Sequence, residues 1–411
     1  MRNRWIGLII LLGVLVAPLA PAASEAQTPS AEGVLAYVWK GVVTVADEEG
    51  DPLASPGPEF RYGEGARIFW SPDARTLYIA RDDGLYVTGP QGAAAVQMPG
   101  LYGRTVTLSQ DMQIMYYLET VSPQERDDGL ISYPLRELNI TSFEGGAGRL
   151  AGYFGQYQPG SALANVNFAA ALYVRDGGLL GSGRPNLWPT YGSNLFGTCC
   201  FPEPGLGMFH VGSGDFTIYD PDFMPGAAAL NLTRTHLAGP TVGGAIRIID
   251  LITGGTRDYT IELAGGLGTV ERLAWSPDDT YLYILARRDP DRPLELAVEP
   301  PFPVDTRSAN IYLYRLNLVT STIRELAWRP DVYGVSSLAA TDRYVFAVVV
   351  EPNTALVNAI NNGQVPAGTL PNDPILTQYM PATHLWRVDV IAGGPVDVLD
   401  NVWGLAARPV R

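Results

Sequence analysis

Few side chains in this sequence have the type and spacing that chemistry requires. Two cysteines are present, and they are adjacent, Cys199 and Cys200. Neighbouring thiols can close a vicinal disulfide, act as a redox switch or remain as inert thiols. Their flanks, Gly197-Thr198 and Phe201-Pro202, bring no basic residue to lower a thiol pKa, so a structural ring or inert thiols are expected. The three histidines, His210, His236 and His384, are scattered, and none stands in an H-E-x-x-H or C-x-x-C setting, so no metal site is expected. Asp289-Pro290-Asp291 and Asp220-Pro221-Asp222 lack the glycine and the terminal glutamate of a calcium loop. There is no G-x-S-x-G elbow, no phosphate-binding glycine loop and no dinucleotide fingerprint, so no cofactor is expected. Asn139-Ile140-Thr141 and Asn231-Leu232-Thr233 match glycosylation acceptors but fall where strands are expected.

The elements that would position any site are written in repeats. Trp70-Ser71-Pro72-Asp73 precedes Leu77-Tyr78-Ile79, and Trp275-Ser276-Pro277-Asp278 precedes Leu282-Tyr283-Ile284 at the same offset. Degenerate copies pair Leu108-Ser109-Gln110-Asp111 with Met115-Tyr116-Tyr117, and Leu338-Ala339-Ala340-Thr341 with Val345-Phe346-Ala347. Proline fixes φ and aspartate bonds its own backbone, so the tetrapeptide predicts a tight turn between two apolar strands. A second unit follows: an alternating strand, an Asp or Asn, and a turn, often with paired glycines. It is seen at Arg247–Leu251 before Gly254-Gly255, at Tyr314–Leu318, at Trp386–Val390 before Gly393-Gly394, and at Glu137–Ile140 before Gly145-Gly146. Each pair of units supplies four strands.

In these motifs the chain resembles the WD40-like propeller repeats of TolB and of the propeller domain in prolyl-oligopeptidase-type peptidases, whose hallmark is a Trp-Ser-Pro-Asp-Gly turn before a strand. Ala74 and Asp279 stand where the resemblance places the glycine. It implies an all-β chain folded as a β-propeller of four-stranded blades, without the peptidases' hydrolase domain. Blades are expected at 66–100, 104–150, 269–327 and 335–400, with 162–265 holding two irregular blades or one. Seven blades, the preferred number, or six result. Val402–Ala407 reads as a lone first strand, and Val34–Tyr37 with Val42–Val45 as a hairpin lacking one, so the termini should close one blade together. Trp328-Arg329-Pro330-Asp331 has the turn residues without the following strand, and reads as a connection between blades.

Composition agrees. With 45 Gly, 33 Pro and 21 Tyr against 17% charged residues, the chain is rich in turn and strand formers. A net charge of −14 disfavours nucleic acid and anionic lipid as partners. Arg2 and Arg4 before an apolar run from Trp5 to Ala20 predict a signal peptide over residues 1–26, cut before Gln27 or, alternatively, before Ala23, with an uncleaved anchor as the other reading. Residues 27–411 would then form the propeller, secreted, periplasmic or in the cell envelope, with no membrane span after cleavage.

Three connections between second and third strands are long, at 120–134, 288–309 and 351–382, and the least repeat-like segment, 176–206, is a further insertion. Such loops crowd one rim, where repeat proteins commonly bind. The candidate binding residues are Asp289, Asp291, Glu295 and Glu299, on a proline-stiffened acidic arm, and Tyr379. The expected function is a non-enzymatic scaffold binding a protein or other envelope polymer. The alternatives are a hydrolase or lyase acting on glycans or peptides through carboxylates in the central channel, and a structural component of an envelope complex.

Overall fold

The computed structural model describes residues 33–409 except for 61–66, 72, 82–83, 99–103, 109–112, 119–123, 126–130, 140–147, 158–172, 176–177, 183–205, 211–215, 262–265, 289–292 and 372. Among the described residues the strands form seven sheets, six of four strands and one of five. Blade one takes its innermost strand from the C-terminus: Val402–Ala407 pairs with Leu35–Trp39, followed by Val42–Ala46 and Pro52–Ala54. Blade two is Arg67–Trp70, Leu77–Arg81, Gly84–Thr88 and Val96–Gln97. Blade three is Arg104–Leu108, Ile114–Leu118, Ile131–Asn139 and Arg149–Tyr157, with Gln124–Glu125 added as its fifth strand. Blade four is Tyr173–Arg175, Gly178–Ser182, Leu206–His210 and Phe216–Asp220, and blade five is Ala229–Leu230, His236–Pro240, Ile246–Asp250 and Thr256–Tyr259. Blade six is Thr269–Trp275, Tyr281–Arg287, Ala309–Asn317 and Ile323–Val332, and blade seven is Gly334–Ala340, Tyr344–Val350, Thr383–Asp389 and Gly393–Asp400. Neighbouring blades touch all the way round. The 162–265 region therefore holds two blades.

A blade packed between two others buries its second strand on both faces, and such a strand reads as an apolar run. In blade seven all of Tyr344–Val350 is buried. Val345, Ala347 and Val349 join the core shared with blade six, while Tyr344, Phe346 and Val348 join the core shared with blade one. In blade one, Leu35 and Tyr37 face blade seven, and Ala36 and Val38 face blade two.

The two Ser-Pro-Asp turns are built alike. Ser71 Oγ bonds Asp73 Oδ1 at 2.5 Å and accepts from Thr76 N at 2.9 Å. Ser276 Oγ bonds Asp278 Oδ1 at 2.6 Å and accepts from Tyr281 N at 2.9 Å. Ala74 and Asp279 both adopt the left-handed conformation, with φ of 62° and 57°. That conformation explains why the related repeats carry glycine there, since a Cβ is strained at positive φ. Ala74→Gly is therefore expected to stabilise the chain by about 0.5 kcal/mol, read as a higher urea midpoint at unchanged m-value.

Blade five contains a copy of this turn that its residues disguise. Asn231 N donates to His236 O (3.0 Å) and Arg234 N to Asn231 O (3.0 Å), with Arg234 at φ 56°. The carboxamide of Asn231 does the work of the serine hydroxyl, its Oδ1 accepting from Thr235 N (2.8 Å) and His236 N (2.9 Å). Asn231 is thus a turn residue rather than a strand residue, and at 2% exposure its amide is closed to glycosylation in the folded chain. In blade seven the turn is shorter. Thr341 Oγ1 accepts from Tyr344 N (3.0 Å), and Ala340 rather than Leu338 pairs with Val345, so the copy read at Leu338 is two residues out of register. The bulge between Val335 and Ser337 has its counterpart between Val270 and Arg272 in blade six, so the difference lies in the turn itself.

The hairpins between third and fourth strands of blades five, six and seven share one device. Asp250 accepts from Ile252 N and Thr253 N (2.8 and 3.0 Å), Asn317 from Val319 N and Thr320 N (both 2.9 Å), and Asp389 from Ile391 N and Ala392 N (2.8 and 2.9 Å). These amides hold the Asp250 and Asp389 carboxyls below the ordinary carboxylate range.

Candidate functional site

The turns just described all lie on one face of the disc, so the connections from second to third strands lie on the other. The insertion of blade six runs from 288 to 308, that of blade three from 119 to 130 and that of blade four from 183 to 205, each narrower than the sequence indicates because strands occupy its ends. The insertion of blade seven runs from 351 to 382, as expected.

The insertions of blades six and seven are built together. Residues 351–382 contain the helix Thr354–Asn361, which buries Leu356, Val357, Ala359 and Ile360, and a 3₁₀ turn, Pro374–Tyr379, capped by Asp373, whose Oδ1 accepts from Ile375 N at 3.0 Å. The helix packs on Phe302, Leu296 and Val304 of the blade six insertion, together with Leu376, Tyr379 and Met380. Asn361 clamps the two segments, its Nδ2 donating to Glu295 O (3.0 Å) and its Oδ1 accepting from Ala297 N (2.8 Å). Asn353 Nδ2 donates to Asp305 O at 2.8 Å. Burial pushes the Asp305 carboxyl upward, but hydrogen bonds from Arg307 and Tyr333 outweigh it and hold the group below its ordinary value. Residues 288–309 are therefore no free-standing acidic arm over their described part. Glu295 and Glu299 are exposed on the paired insertions, while Tyr379 is partly buried against their apolar core. Asp289, Asp291, Cys199 and Cys200 lie outside the described residues.

Beside the paired insertions, a cleft of about 420 Å³ opens between the outer strands of blades six and seven. Its floor is apolar, formed by Val332, Val349 and Trp386, the last only 2% exposed. Arg329 and Asp397 form an ion pair across one side, Glu351 lies on the other, and the exposed Asp331 and Pro395 complete the rim. Asp331 holds φ at 51°. His384, the second residue of the third strand of blade seven, is fixed between carboxylates, with Nε2 at 2.7 Å from Glu351 Oε1 and Nδ1 at 2.7 Å from Asp400 Oδ1. Both ring nitrogens are occupied, so His384 positions Glu351 rather than presenting a free base.

Sequence reasoning passed over this site. Trp328-Arg329-Pro330-Asp331 reads as a connection but belongs to the strand Ile323–Val332, and only Tyr333 separates that strand from blade seven. Cross-strand pairing gives the four residues their faces: Arg329 lies opposite Ile311, which faces blade seven, and Trp328 lies opposite Tyr312. The half-exposed Trp328 indole stacks on Tyr312, centroids 6.3 Å apart.

Four-stranded sheets repeated radially, with one sheet completed by strands from both termini, define a β-propeller. No family model matches the sequence, and no curated protein matches it. Similar solved structures include a TolB described as putative from Agrobacterium tumefaciens, 12% identical over 82% of this chain and 81% of that one, with a TM-score of 0.34. TolB from Acinetobacter baumannii is 12% identical over 71% and 62%, with a TM-score of 0.38. An oligogalacturonate lyase in complex with manganese is 14% identical over 90% and 86%, with a TM-score of 0.41. These likenesses are of fold alone.

Proposed function

We propose that this chain is an exported, non-enzymatic binding propeller that holds a protein or other envelope polymer on the face bearing its insertions. The observation that carries the reading is the paired insertion: two segments about 60 residues apart share an apolar core and a carboxamide clamp beside a cleft. A propeller ring does not need such a structure for closure, and large inserts on one face of a repeat scaffold commonly form its binding surface. Export rests on Arg2, Arg4 and the apolar run that follows them.

The test is site-specific photo-cross-linking in the native envelope, with the reactive residue at Pro395 on the cleft or at Val319 on the opposite face, where the side chain is 78% exposed. Adducts are expected from position 395 and not from 319. Equal yields, or adducts from 319 alone, would sink the assignment of the face. A reporter active only outside the cytoplasm, fused after residue 32, tests export, and an inactive fusion refutes it.

A further inference from the structure

We propose that the cleft between blades six and seven takes a basic side chain, an arginine or lysine carried on an extended segment of the partner. The inference rests on the binding reading above and names the chemistry of the partner. A long cationic side chain needs two things from a site, an apolar wall for its methylene stem and acceptors for its charged end. Val332, Val349 and Trp386 supply the first.

Asp331, Glu351 and Asp397 supply the second. Their neutralisation within the cleft is incomplete. Arg329 pairs with Asp397, and His384 lies against Glu351 and Asp400. Asp331 stands at the rim of the cleft with no ion pair or hydrogen bond among the described residues. The lining thus presents three carboxylates and one guanidinium, an excess of acceptors and negative charge. A neutral saccharide would call for donors as well as acceptors, and an anionic ligand would be repelled.

Two further features, charge and volume, agree with this assignment. The chain as a whole carries a net charge of −14, which would draw a basic partner toward it from a distance. A cleft of 420 Å³ lies within the range of about 300–1,000 Å³ usual for small-molecule sites, enough for one or two side chains and not for a folded element.

The probe is a fluorescein-labelled Gly-Arg-Gly-Arg-Gly peptide titrated with the full chain and read by anisotropy, with Gly-Glu-Gly-Glu-Gly and a neutral oligosaccharide as comparisons. The arginine peptide is expected to bind more tightly than either comparison and to weaken as salt is raised. The double variant D331N/E351Q, which keeps shape and removes charge, should weaken it roughly tenfold or more, the scale of one lost charge-assisted contact. V319S on the opposite face should leave it unchanged, and circular dichroism of the double variant checks that it is folded. Equal binding of the acidic peptide, displacement of the arginine peptide by the oligosaccharide, or undiminished binding by a folded double variant would each overturn the inference. Should adducts still form at position 395 in the cross-linking experiment while the double variant binds normally, the basic side chain is wrong and the binding face stands. Absence of adducts refutes the binding face itself.

Discussion

Truncated after Asn401, the chain is expected to lose its cooperative unfolding transition at room temperature. The deletion removes the strand Val402–Ala407, the innermost strand of blade one, and leaves Leu35–Trp39 with one unpaired edge. Leu35, Ala36, Tyr37 and Val38 have no exposed surface in the intact ring, so their strand would face water along a side that evolved for burial. Val402 is itself fully buried, and Trp403 and Leu405 pack partly into the cores on either side of blade one. At roughly 1.5–3 kcal/mol for each large apolar side chain, the loss is on the order of 5 kcal/mol before the broken ladder is counted. That approaches the whole stability of a typical domain, about 5–15 kcal/mol. The measurement is thermal unfolding followed by circular dichroism, with limited proteolysis as a second readout. A midpoint within a few degrees of the intact chain would show that closure contributes little.

Asn231→Ala is expected to cost about 2–3 kcal/mol, unusually much for a turn residue. Besides replacing the serine of the repeat, the carboxamide Nδ2 donates to Thr233 Oγ1 (2.9 Å), Thr235 Oγ1 (3.1 Å) and Asp279 Oδ2 (2.9 Å). The last bond joins blade five to the Ser-Pro-Asp turn of blade six. Burial raises the Asp279 carboxyl, the Asn231 bond works against that rise, and the second oxygen, Oδ1, is buried without a partner. Removing the amide lets the carboxyl rise further. A carboxyl whose folded pKa exceeds its unfolded value favours the folded state below the unfolded pKa, about 3.9, and loses that contribution as pH rises through the folded value. The variant should therefore be more destabilised at pH 7 than at pH 4, as read by urea titrations at the two pH values. A double-mutant cycle with Asp279→Ala isolates the shared contact, and a pH-independent cost would refute the coupling.

The repeat grammar was legible because the propeller turn is a local device. Ser71 and Asp73, like Ser276 and Asp278, bond within a few residues of themselves, so their spacing carries the structure. Closure was legible for a related reason, since Val402–Ala407 and Leu35–Trp39 are each an incomplete blade. Where a different side chain filled the same role, the pattern was lost. Asn231 replaces serine and so looked like a glycosylation acceptor, and a turn two residues shorter displaced the copy expected at Leu338 in blade seven. The candidate site was least legible because its contacts are non-local. His384 meets carboxylates 33 residues before it and 16 after it. The apolar residues Leu296, Phe302 and Val304 stand among prolines and acids and reveal themselves as core only when the helix Thr354–Asn361 lies against them.

Blade one differs from every other blade in having a seam where the turn between its first two strands would be. Arg408 N donates to Val34 O at 2.7 Å, so the chain reaches and leaves the ring at the same spot, on the face opposite the cleft. Topologically the seam is arbitrary. A circular permutant with Arg408 joined to Gly33 and the chain opened between Ala74 and Arg75 would trace the same ring and leave the paired insertions and their cleft as they are. For the native arrangement this means that Gly33 and Arg408 enter and leave the ring side by side, on the face opposite the paired insertions.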